Sequence, residues 1–120
     1  MNAPLLVAAA LTALVAVAHS YLGERYILIR LFRRSDLPKL FGGVDFTKRT
    51  LRLAWHITTV LALGFAALLV VLASGGGSAR TEARIISITC AARGLVAFVG
   101  SRGRHLSWIV FWAIAALAWL

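Results

Sequence analysis

Four stretches of the chain are almost free of polar side chains, and polar and basic residues collect between them. The first runs over 3–22 and the second over 53–73, both without a charged residue. The third runs over 83–99 and holds one, Arg93. The fourth runs over 106–120, to the last residue given. A bilayer core about 30 Å thick takes about 20 helical residues, within a range of about 17–25. The first three fit. The fourth reaches about 22 Å at a helix's rise per residue, so it needs the preceding turn or a locally thinned bilayer. The pattern predicts an all-α integral membrane protein. It has one domain over 1–120, four transmembrane helices in a small bundle, and an amphipathic cytoplasmic segment between the first two.

The connections carry their own signals. Residues 24–34 (ERYILIRLFRR) interleave Tyr26, Ile27, Ile29, Leu31 and Phe32 with basic residues. They either extend the first helix or lie along headgroups. Residues 35–43 read as a short turn, with Ser35 or Asp36 as a cap, Pro38 in a first helical turn and Gly42–Gly43 as its end. Asp45 is placed to cap the second helix. Residues 74–78 (SGGGS) read as a flexible linker. Ala16-Val17-Ala18 fits a signal-peptide cleavage pattern, but no basic residue precedes it and eight follow by residue 52, which predicts an uncleaved helix.

Composition agrees with the pattern. The chain is 61% hydrophobic and 14% charged, against about 45–50% and 25% in soluble domains. This excludes a soluble globular enzyme or a disordered tail. Thirteen basic residues against four acidic ones would raise the question of nucleic acid in a soluble chain. Here they flank apolar runs, so the predicted contacts are the bilayer and its anionic headgroups, and no nucleic acid. Segments 23–52 and 100–105 hold ten Lys and Arg, and segment 74–84 holds two. The positive-inside rule then puts both basic loops in the cytoplasm and both termini outside it. The chain resembles the many short Ala- and Arg-rich hydrophobic proteins of bacteria, and that resemblance implies a bacterial inner membrane. The lone Cys90 excludes an internal disulfide and reads as packing.

The candidate chemistry rests on few residues. His19, His56 and His105 fall at the same predicted end of three spans. Neutral imidazoles at one depth suit a transition metal, and two of them suit a b-type haem. Glu24 would supply an oxygen ligand or orient an imidazole. Arg93, about 13 Å deep by helix rise, would face helix carbonyls, Thr58 or Thr59, a lipid phosphate, or the carboxylate of a ligand such as a haem propionate. Trp55, Trp108 and Trp119 read as interfacial anchors, and Trp112 as packing. Ala8, Thr12, Ala16 and Ser20 recur every fourth position, as do Ser87 and Ala91, which suits close helix contacts within or between chains.

Three functions follow as expectations. The first is a haem or metal site on His19, His56 and His105, for redox chemistry or metal handling. The second is a non-catalytic accessory or structural subunit of a membrane complex, or a homo-oligomer. The third is a small-solute transporter acting as an oligomer. The sequence holds no P-loop, no Ser/His/Asp set and no paired carboxylates, so enzymatic activity is not indicated.

Overall fold

Pro4 stands at the start of the first apolar run, where its missing N–H costs nothing, and the Asn2 side chain accepts from the N–H of Leu5 to cap it. The helix that follows, α1, spans Ala3–Leu31 without interruption. In the computed structural model, which describes residues 1–120, residues 24–34 therefore largely continue the first helix. Within α1 the stretch Gly23–Leu28 widens to π-helical turns, with the N–H of Ile29 reaching the carbonyl of Glu24. The widening begins where the His19 carbonyl takes a second donor, the indole N–H of Trp55 at 3.1 Å, besides the N–H of Gly23. An inserted side chain is one of the recognised causes of such a bulge.

Residues 35–43 form no helical turn. Asp36 pairs with Arg34, Leu40 and Gly43 make an isolated bridge, and the carbonyl of Pro38 accepts from the Thr47 hydroxyl. The second helix, α2, spans Asp45–Ser74, with Val44 at the cap position. Asp45 is thus the first helical residue and not the cap. Its carboxylate pairs with Arg49 one turn on and stands at the positive end of the helix dipole. Gly75 ends α2 in the left-handed conformation, and Ser78 accepts from the N–H of Thr81 to start α3, Ala79–Ser101. The SGGGS segment is thus a doubly capped turn. The last helix, α4, spans Ser107–Trp119.

Three helices, α1 to α3, are long and apolar enough to cross a membrane. The 13 residues of α4 reach about 20 Å and fall short of that length.

The helix backbones approach closely only between neighbours in sequence, α1 with α2, α2 with α3 and α3 with α4, while side chains of α4 reach the α2–α3 core. The four stand in a row one helix thick, with extents of 52 × 33 × 15 Å, rather than closing around a shared centre. Small residues set the close approaches. Ala9, Ala16 and Gly23, seven apart, are buried on α1, as are Ala66 and Ala73 on α2. The N–H of Asn2 donates to the carbonyl of Ala73 and ties the far ends of the pair. Ser87, Cys90, Gly94, Ala97 and Ser101 form the buried face of α3. Cys90 is a packing residue, as expected. Leu53, Ile57 and Ala97 make the small core where α2 and α3 meet, covered by Trp108 and Phe111 of α4. Only 16 of the 120 residues are buried, so both broad faces of the row present large apolar side chains.

Candidate functional site: a polar cluster across the α1–α2 seam

The polar side chains on these two helices converge at one place, the end of the row that carries the 32–44 connection. The geometry begins with Gly23. A Cβ there would lie 2.0 Å from the Trp55 indole nitrogen, so only glycine admits the ring. Trp55 then stacks on His19 with ring centres 4.6 Å apart and planes within 3°. The ring thus packs inside the seam, with its N–H on the His19 carbonyl.

The widened turn brings Glu24 to face α2, and the carboxylate bridges the helices. One oxygen is 2.8 Å from the Arg52 guanidinium, and the other takes Arg52 Nε at 3.2 Å and His56 Nε2 at 3.0 Å. An ionised carboxylate only accepts, so His56 Nε2 carries a hydrogen. In the neutral ring Nδ1 is then an acceptor and takes the Ser20 hydroxyl at 2.8 Å. Ser20 in turn accepts from Thr59 at 2.7 Å. The chain from Thr59 through Ser20 and His56 to Glu24 and Arg52 is closed and directional, with each hydrogen used once. His19 stands beside it. The Thr58 hydroxyl donates to the Trp55 carbonyl at 2.7 Å and accepts from His19 Nε2 at 3.1 Å.

Two open grooves flank the cluster. One, about 600 Å³, runs along α1 and α2 and is lined by His19, Thr58 and Thr59 among apolar residues. The other, about 500 Å³, lies between α2 and α3 and is lined by Arg49, Arg52 and His56. On α2 the two lining sets lie on different sides of the helix at about 100° per residue, so the hydroxyl–imidazole–carboxylate chain passes from one groove to the other.

The three histidines do not meet. His19 and His56 belong to the α1–α2 seam. His105 lies between α3 and α4, with Nδ1 2.9 Å from the Ser107 hydroxyl and its ring against Phe46. No three His, Cys, Asp or Glu side chains come together in a group that could hold a metal ion. Within the seam Trp55 stacks on His19 and the Ser20 hydroxyl bonds to His56. Both ring nitrogens of His56 are engaged within the chain. The geometry thus gives no support to the expected metal set of His19, His56, His105 and Glu24, or to haem between His19 and His56.

Arg93 lies on α3, away from the cluster. Its guanidinium carbon is 4.3 Å from the centre of the Phe111 ring, and its Nε is buried without an acceptor. Thr58 and Thr59, expected as its partners, are committed to His19 and Ser20. Trp112 packs as predicted: its ring fills the notch at Gly94, and its N–H donates to the Ala91 carbonyl at 3.2 Å. Trp108 packs with Phe98, and Trp119 lies under Arg84.

Sequence reasoning did not single out Arg52, Ser20 or Thr59 for the cluster. A signal for the first existed: Arg52 and His56 are four apart, so a helix sets them on one face. Ser20 stood in the row of small residues as a packing position and is also the link to His56.

Comparison with family models, with curated proteins and with solved structures finds no match.

Proposed function

We propose that this chain is a non-catalytic structural subunit of a larger complex in a bacterial inner membrane. On this reading its basic loops lie in the cytoplasm and its apolar runs in the bilayer. The observation that carries the reading is the row itself. A chain whose helices approach one another closely only in sequence order does not close around a centre, and it offers two broad apolar faces. Exposed apolar area on that scale suits lipid and partner helices, not water. The one polar cluster serves the same reading. Its groups satisfy one another within the chain, so it fastens α1 to α2 and holds the row in shape.

The test is mass. The protein is drawn from its native membrane in polymer-bounded lipid discs and weighed by native mass spectrometry. The expected result is a discrete assembly of this chain with a second polypeptide. A bare monomer overturns the proposal. So does a Soret band that sharpens on reduction, which would make the protein an electron carrier.

A further inference from the structure

Arg93 is a cation that this chain does not neutralise. It shares the face of α3 with Ala97, one turn on, which is fully buried against Leu53 and Ile57 beneath Trp108 and Phe111. The chain has four acidic side chains. Glu24 is held by Arg52 and His56, Asp36 by Arg34, and Asp45 by Arg49. Glu82 is in the first turn of α3, eleven residues and about 16 Å of helix from Arg93. No acidic side chain of this molecule reaches the guanidinium. A second copy in the same orientation offers Glu82 only at that same wrong level.

Depth and packing bear on the remaining sources of negative charge. Arg93 is eight residues from Ser101, about 12 Å from the end of α3 where Arg102 and Arg104 follow. The guanidinium lies over the Phe111 ring, 4.3 Å from its centre, and Phe111 itself packs on the core of Leu53, Ile57 and Ala97. The Nε is buried there without an acceptor, so an anion that meets the guanidinium has to come to it at this face, within the apolar run.

We propose, on the reading of this chain as a membrane subunit, that Arg93 docks a second subunit through an Asp or Glu at mid-membrane depth on one of that subunit's transmembrane helices. The carboxylate closes on the guanidinium at the face where α2, α3 and α4 meet. Phe111 orients the guanidinium plane, and an ion pair formed there is shielded from water.

The test uses the full chain in phosphatidylcholine nanodiscs with a synthetic leucine-rich transmembrane peptide bearing one central Asp. Association is read by energy transfer against the same peptide with Leu in place of Asp. The Asp peptide is expected to associate about tenfold more tightly, the scale of one polar contact between helices. Arg93→Gln should remove that preference and Arg93→Lys retain part of it, with helix content by circular dichroism unchanged in both. Equal association of the two peptides overturns the inference, as does a preference that survives Arg93→Gln. Arg93-dependent retention of phosphatidylglycerol without peptide preference also overturns it, in favour of a lipid phosphate. The two proposals fail separately. A native assembly that keeps its mass in Arg93→Gln sinks this inference and leaves the subunit reading standing. A native monomer sinks the subunit reading.

Discussion

At the α1–α2 seam a carboxylate, a guanidinium, an imidazole and two hydroxyls close on one another within 3.2 Å. Where α2, α3 and α4 meet, a single guanidinium faces one aromatic ring and no anion. Both regions place charge on helices long and apolar enough to cross a membrane. The seam resolves its charge internally, so its polar groups stabilise the chain that carries them. The Arg93 face leaves its charge open, so it costs the isolated chain stability and acquires value only against something else. The difference separates a polar group kept for folding from one kept for recognition, and stability measurements on the free chain should tell them apart by sign.

The largest effect is expected at Gly23. Gly23→Ala drives a methyl into the Trp55 ring, which must leave its stack on His19 and its bond to the His19 carbonyl. The cost should be about 1–3 kcal/mol, read from unfolding in mixed micelles. Trp55→Ala removes the obstacle, so the double variant should lose less than the sum of the two. Additive losses would show that the notch and the ring do not depend on each other.

The contrast in sign comes next. Glu24→Gln leaves Arg52 and His56 without their shared anion and should cost about 1–3 kcal/mol in the same assay. Arg93→Leu removes an unneutralised cation and should leave the isolated chain as stable or more so. If both substitutions destabilise alike, Arg93 is structural and the division between the two regions fails. A smaller loss of about 1 kcal/mol is expected from Ser20→Ala, which unlinks Thr59 from His56 and leaves an imidazole acceptor unfilled.

What the sequence disclosed follows the range of the forces involved. Apolar runs of helical length place α1 to α4 because length and hydropathy are properties of each segment alone. Which faces meet depends on small differences among many apolar contacts. The repeat of Ala8, Thr12, Ala16 and Ser20 pointed to the correct side of α1, yet the buried set is Ala9, Ala16 and Gly23. The row could not be read from sequence for that reason, since each apolar helix has several faces that would pack. The same limit hid the separation of the histidines, whose shared depth is a local property and whose distances are not. Arg93 was legible because a charge within an apolar run stands out with no knowledge of its neighbours. Glu24 was legible as a carboxylate that could orient an imidazole, but its choice of His56 and Arg52 was hidden by the widened turn, which shifts the side chain around α1 from where a regular helix would aim it.

The smallest effect is expected outside the helices, and it sharpens the comparison from the solvent side. Asp36 lies in the connection after α1, where Arg34 Nε donates to it at 2.8 Å. That bond holds its carboxyl below the ordinary value of 3.8. A carboxyl lowered on folding contributes stability in full above its ordinary value and loses it as pH falls through the folded one. Arg34 is shifted the other way but stays charged throughout, so only acid can break the pair. The pair is fully exposed, and water and salt screen it on both sides of that transition. Asp36→Asn should therefore leave the melting temperature unchanged at neutral pH, and the variant and the parent should follow one curve down to about pH 3. The same acid titration of Glu24→Gln against the parent should show two curves at neutral pH converging as the parent's Glu24 takes up its proton. Curves that separate for Asp36→Asn as widely as for Glu24→Gln would mean that the connection, and not the seam, fixes α1 against α2.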